Sequence, residues 1–414
     1  MSSDHMSQPG SSSPVTTDLR ARAAAVIPGG ASTGSKRPDA LFGPGASFGP
    51  THFTHARGCR LTTADGAELV DCTMALGAVA LGYADEMVTQ AVAGAAGRGH
   101  VAGLSPVLEV ELAERLCAII PCAEQVRFLK SGAEGVAAAV RIARTHTGRS
   151  LVLGAGYFGW LDWWSTAPGV PAGAHADFRA IPFDDVAALE EAVAGAGHAL
   201  AAVIIEPVVE HLPSTAWLTS ARRLCDEHGA VLIYDEMKTG FRIRTGGFQE
   251  YSGIVPDMAI FGKAIANGYP LSAIVGRARV MAAAGATWIS STLASETTAL
   301  AAAAAVLDRH EQMDVCDALW RTGEAMCGAV ARAIATSGAG GVCVDGIPPM
   351  WFLRFDSDAF ASRFLEHALE HGVLFKRGAY DFASLAHDDA AIERIEHAAA
   401  AALTQTAEEL DAPG

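Results

Sequence analysis

Three uninterrupted apolar runs, at 151–153, 201–205 and 231–234, punctuate the chain, separated by stretches of helical spacing such as 218–227. Strands that are apolar on both faces and alternate with helices predict a mostly parallel sheet covered on both sides. Residues 126–129 and 258–261 read as further short strands. Ser131-Gly132 opens a long helix reaching Arg144, with Val136, Val140 and Ala143 on one face and Arg141 and Arg144 on another. Residues 19–26 read as a short helix ending at Pro28-Gly29-Gly30, 57–72 as a β-hairpin turning at Asp65-Gly66, and 108–120 as a helix stopped by Pro121. An alanine-rich helix from Ala299 leads into an α+β region with strands near 341–344 and 351–355.

Composition narrows the classes. Half of the 414 residues are hydrophobic and 18% are charged, which describes a globular chain with room for two or three domains. The net charge of −16 argues against a nucleic-acid partner and leaves no basic stripe for an anionic membrane. The longest apolar run, 299–307, falls short of the roughly 18–20 residues a bilayer requires. Residues 1–14 are Ser/Gly/Pro-rich without an apolar signal core, so a disordered tail and a cytoplasmic location are expected. The eight cysteines form no CxxC pair, so reduced thiols are expected, and no metal. Lysines are scarce: 36, 130, 238, 263 and 376, against 25 arginines, so each invites a reason.

Four features in order carry candidate chemistry. Lys130-Ser131-Gly132-Ala133-Glu134 is a strand-to-helix junction whose first-turn N–H groups and Ser131 hydroxyl can hold a phosphate. Alone, such a junction is ordinarily just a helix cap. Gly156-Tyr157-Phe158-Gly159-Trp160 follows the C-terminal end of a strand, where open α/β sheets bind ligands, and Tyr157 can stack on a flat ring. The alternative is that these aromatics, with Trp163 and Trp164, serve as core packing. Asp235 ends the run Val231-Leu232-Ile233-Tyr234, where a carboxylate can pair with a pyridine nitrogen or simply cap a helix. Lys263 in Phe261-Gly262-Lys263-Ala264 lies 28 residues further on, in a segment with no other charge, where a desolvated amine can form an imine.

On these residues the chain resembles the class III aminotransferases of the fold-type-I pyridoxal-5′-phosphate (PLP) superfamily, and within them the glutamate-1-semialdehyde aminomutase-like branch. The resemblance runs from about residue 27 to 400. It rests on Asp235-Glu236-Met237-Lys238-Thr239-Gly240-Phe241-Arg242, similar to DEVxTGFR, and on Gly262-Lys263-Ala264-Ile265-Ala266-Asn267-Gly268-Tyr269-Pro270, similar to GKxIxxGxP. Ile205-Glu206-Pro207-Val208 and Ser384-Leu385-Ala386-His387 support it. It implies an α/β fold with a large, mostly parallel sheet of seven-stranded type at 76–305. A smaller α+β domain would draw on both termini, 18–75 and 306–414, after a tail at 1–17. It further implies PLP held as a Schiff base on Lys263, with Asp235 on the pyridinium and Ser131, Gly132 and Ala133 on the phosphate. Tyr157 would stack on the ring, Glu206 would belong to the cofactor set, and Thr292 would reach the phosphate of a neighbouring subunit, so a homodimer with shared active sites is implied.

The departures fall on the substrate side. Tyr157-Phe158-Gly159 stands where the family has Tyr-His-Gly, Val209-Glu210-His211 replaces a Gly-rich continuation, and Ser295-Glu296 replaces Gly-Asn. Lys36, followed by Arg37, aligns with the aminomutases' carboxylate-binding arginine. Lys36, Arg37, Phe158 and Trp160 are therefore the candidate substrate contacts. The expected activity is transfer of an amino group between a small-molecule amine and a carbonyl acceptor, in specialised biosynthesis. An aminomutase, racemase or epimerase, or another amino-acid-transforming PLP enzyme of this fold, is the alternative.

Overall fold

The computed structural model describes residues 13–411. The chain divides into two compact units, one formed by the segments up to Asp85 and from Ala318, the other by Glu86–Asp317.

The central unit is built on a seven-stranded sheet: β1 (Gln125–Leu129), β2 (Leu151–Ala155), β3 (Phe178–Ala180), β4 (Leu200–Ile205), β5 (Val231–Asp235), β6 (Met258–Phe261) and β7 (Ser272–Gly276). The strand order is β1-β7-β6-β5-β4-β2-β3. Only β7 runs against its neighbours, antiparallel to both β1 and β6, while the remaining pairs are parallel. Strands β2, β4, β5, β6 and β7 are buried along their whole length, which is why their apolar runs show no alternation.

Six longer helices cover and flank it: α1 (Glu86–Gly97), α2 (Val107–Ile119), α3 (Gly132–Thr147), α4 (Val186–Ala196), α5 (Thr215–His228) and α6 (Thr297–Gln312). Helix α3 lies on β4, β6 and β7, and α5 lies on β4 and β5. The buried face of α3 includes Val136, Val140 and Ala143, which join Val152, Ile204, Ile233, Ile260 and Ile274 in one core. Full burial of each Val or Ile contributes about 1.5–3 kcal/mol. Helix α6 packs on α1 and on the turn that follows β6.

In the other unit, the hairpin Arg60–Thr63 and Glu68–Asp71 joins Phe53–Arg57 and the late strand Val373–Leu374 in a four-stranded sheet. Val70 and Cys72 donate their N–H groups to Gly372 and Leu374, so both ends of the chain build this α+β unit. The first helix is Pro14–Val26. Residues 14–17, expected in the tail, are helical because the Ser13 hydroxyl caps the Thr16 N–H and Pro14 presets the first turn. The rest of the expected tail, residues 1–12, lies outside the described residues. Among the described residues, no helix is long and apolar enough to cross a membrane.

Candidate active site

Six of the seven strands share one direction, so five loops leave the same edge of the sheet. They carry Ser131 after β1, Tyr157 after β2, Glu206 after β4, Asp235 at the end of β5 and Lys263 after β6. That edge is where an open α/β sheet takes ligands. The register Ile205↔Tyr234 sets Glu206 beside Asp235 on adjacent strands.

Lys263 sits in a left-handed conformation, with φ of 52°, uncommon for a residue with a side chain. The flanking residues hold it there: Ala264, Ile265 and Ala266 are buried. Gly262 precedes it because a Cβ at that position would come within 2.6 Å of Met237. Burial, and after it the charge of Lys238, lower the Lys263 amine to about 8, against the opposing pull of Glu206 and Asp235. Asp235 is 3% exposed. Its Oδ1 accepts the Met237 N–H at 3.0 Å. Burial, then the charge of Glu206, push its carboxyl well above the ordinary range.

Ser131 is the N-cap of α3 in a capping box: its hydroxyl accepts the Glu134 N–H, and its own N–H donates to Glu134 Oε2. Bare backbone surrounds this helix start. A Cβ on Gly159 would lie 2.5 Å from the Ala133 Cβ, and one on Gly132 would lie 2.7 Å from Met237 Sδ. Tyr157 is 63% exposed and its ring meets Trp164 edge-on at 5.5 Å. Trp160 is also exposed. Phe158 corrects the sequence-based expectation of a substrate contact. Its ring is fully buried in the core, against Trp163, Trp164 and Phe178, where an apolar ring is favoured over solvent. Thr292 lies exposed on the loop before α6. Lys36 ends a short 3₁₀ turn and Arg37 precedes the helix Pro38–Phe42, both in the other unit.

Two ion pairs went unread in the sequence. Lys238 Nζ lies 3.0 Å from Glu206 Oε1, while Glu206 Oε2 accepts the Tyr157 N–H at 2.9 Å. Lys130 Nζ lies 2.8 Å from Glu296 Oε1. Although burial raises Glu296, Lys130, Thr298 and the Ala299 N–H outweigh it and hold the carboxyl at about 2. The scarcity of lysine was the available signal for both.

These residues fit PLP. A helix start stripped of side chains can hold a phosphate, an exposed aromatic face can cover a ring, and a weakly basic buried amine can take an aldehyde. Asp235, a buried carboxylate pushed upward, is relieved by a cation such as a ring N–H⁺.

The model of the class-III aminotransferase family matches residues 45–155 and 166–387. The glutamate-1-semialdehyde 2,1-aminomutase of Polynucleobacter necessarius subsp. necessarius (strain STIR1) is 34% identical over 388 residues, covering 84% of this chain and 89% of that protein. The 2′-deamino-2′-hydroxyneamine transaminase of Streptomyces kanamyceticus is 34% identical over 356 residues, covering 84% and 90%. Among solved structures, the FumI protein of Sphingopyxis sp. MTA144, in its PLP internal aldimine form, superposes with a TM-score of 0.91 at 26% identity, over 97% of this chain and 99% of that one.

Proposed function

The chain belongs to the class-III aminotransferases, PLP enzymes of fold type I, and we propose that it moves an amino group between a small-molecule amine and a carbonyl acceptor through Lys263 and Asp235. The observation that carries this reading is their placement: a buried amine near 8 and a buried carboxylate on adjacent loops of one sheet edge, beside the bare N-terminus of α3. PLP supplies an electron sink and a carrier for the amine.

The chain's own residues do the rest. The Ser131 hydroxyl and the N–H groups of Gly132 and Ala133 hold the phosphate at the positive end of α3. The Asp235 carboxylate keeps a proton on the ring nitrogen. Tyr157 covers one ring face, and Glu206 fixes the Tyr157 backbone through its N–H. Lys263 would anchor the cofactor, and its amine, when free, would take the proton from the carbon bearing the donor's amine and give it back to the carbon to which the amine is transferred. Half of the amine is deprotonated at about pH 8, which suits a base working near neutrality. Lys36 and Arg37 remain proposed contacts for a substrate anion, and Trp160 for a bulky group. Thr292 is assigned to the phosphate of a second copy. Solvent-facing Leu104, Val107, Trp288 and Leu293 support such a homodimer. A biosynthetic role in the cytoplasm completes the proposal.

A second reading, an aminomutase in which the amine never leaves, draws on the aminomutase relatives at 32–34% identity. The visible spectrum of the PLP-loaded protein, with amine donors added one at a time, separates the two. Bleaching by a donor with release of a keto product supports transfer. A spectral change without keto release favours the aminomutase. Lys263→Ala is expected to abolish turnover, and turnover at the wild-type rate in that variant would overturn the proposal.

A further inference from the structure

We infer that Lys238 is a positioning residue of this site: its ammonium holds Glu206 in a buried ion pair, so that the Glu206 charge neither draws a proton onto Lys263 nor opposes the charge on Asp235. The inference rests on the PLP reading above and deepens it, since no role for Lys238 follows from that reading alone.

Glu206 follows β4 and Lys238 follows β5, so neighbouring parallel strands deliver the two partners to the same edge. Their side chains are 8% and 14% exposed. The Glu206 carboxylate is clamped on both oxygens, by Lys238 on Oε1 and by the Tyr157 N–H on Oε2. A Cβ on Gly156 would come within 2.7 Å of Glu206 Cγ and 2.9 Å of Oε2, so the Glu206 side chain packs directly on bare backbone there. A carboxylate held this way is costly without a cation. With an uncharged side chain at 238, that charge would act on both working groups without its ion-pair partner.

The charged groups acting on Lys263 are Lys238, Glu206, Asp235 and Arg242. Those acting on Asp235 are Glu206, Lys263 and Lys238. On each working group Lys238 acts opposite to Glu206, making Lys263 easier to deprotonate and Asp235 easier to ionise. Glu236, although next to Asp235 in sequence, is committed elsewhere, accepting the N–H groups of Phe248 and Gln249 and the Thr239 hydroxyl. Lys238 itself is committed to that pair, its Nζ 3.0 Å from Glu206 Oε1.

The test is a pH titration of the visible band of the PLP-loaded protein, with PLP content and thermal midpoint read alongside. Lys238→Met removes a cation and is expected to move the titration midpoint up by about one unit. Glu206→Gln removes an anion and is expected to move it down. The double variant E206Q/K238M returns toward wild type, and Lys238→Arg, which keeps the charge, stays close to it. A folded, PLP-loaded K238M with the wild-type midpoint would overturn the inference, as would an upward shift in E206Q. Should K238M fail to fold, the direction of the E206Q shift decides alone. A band that persists unchanged in Lys263→Ala would instead remove the PLP reading, and this inference with it.

Discussion

Asp235 shows what the site demands of a single residue. In the fold its carboxyl is held well above the 3.8 of an ordinary aspartate, by burial first and Glu206 second. The fold therefore keeps a proton that the unfolded chain has already released, and the stability this gives is present below about pH 4 and lost as pH rises toward the folded value. Before PLP binds, Asp235→Asn should thus be close to wild type in thermal midpoint only below about pH 4. It should be the more stable protein at pH 8, by the roughly 1–3 kcal/mol of an uncompensated buried polar group. With PLP the same variant should lose at least about 10²-fold in turnover, because the amide cannot balance a ring N–H⁺. Equal midpoints at pH 8 would mean that Asp235 is not strained by burial. The placement of Asp235 and Lys263 at one sheet edge was legible in sequence because each lies at the end of, or just past, an apolar run. The Lys238–Glu206 pair was not, because it depends on β4 and β5 being neighbours, and fully apolar runs carry no strand order. Phe158 was misread for a related reason: an aromatic string does not say which ring the loop turns inward.

At the scale of elements, the start of α3 joins a helix cap to a binding cup. The Ser131 hydroxyl serves the Glu134 N–H at 3.3 Å, and the same group faces the proposed phosphate position. Ser131→Ala should cost about 1 kcal/mol of stability from the lost cap. It should also weaken PLP binding roughly tenfold or more, the effect of one hydrogen bond to a charged group. Titration of the cofactor-free variant with PLP checks the second effect and a melting curve the first; loss of stability with unchanged affinity would leave Ser131 as a cap alone. Gly159 tests the cup without touching a polar group. Any Cβ there collides with Ala133 Cα at 2.8 Å, and φ of 85° adds strain. Strands β1, β2, β4, β5 and β6 and helices α2, α3, α5 and α6 followed from apolar runs and spacing, whereas the short β3 and helices α1 and α4 did not. Strand β7 did not: Ser272–Gly276 is buried on both faces, so it shows no alternation, and nothing in Tyr269-Pro270-Leu271 announces a reversal of direction.

For the molecule as a whole, the unanswered surface is apolar, in a chain of net charge −16. Helix α2 buries Leu112 and Leu116 on one side, yet leaves Val107 and Val110 74% and 59% exposed on another. Leu104 just before it is 85% exposed. The loop before α6 adds Trp288 and Leu293, and it is tied to the α1–α2 connection where the His100 carbonyl accepts the Thr297 N–H at 2.9 Å. A helix apolar on two sides and flanked by an exposed leucine and tryptophan is the surface a proposed interface would cover. The proposed second copy would also give Thr292, on that same loop, a phosphate to meet. Sedimentation should therefore find a dimer, and the double change Leu104→Glu with Val107→Glu should yield monomers, since two buried like charges meet across a symmetric contact. Those monomers should bind PLP more weakly, having lost the partner's loop. Thr292→Ala should weaken PLP binding while leaving association intact, which separates the hydroxyl's contribution from dimerisation. A dimer that survives both glutamates would place the interface elsewhere, and full PLP affinity in the Thr292 variant would confine each active site to its own chain.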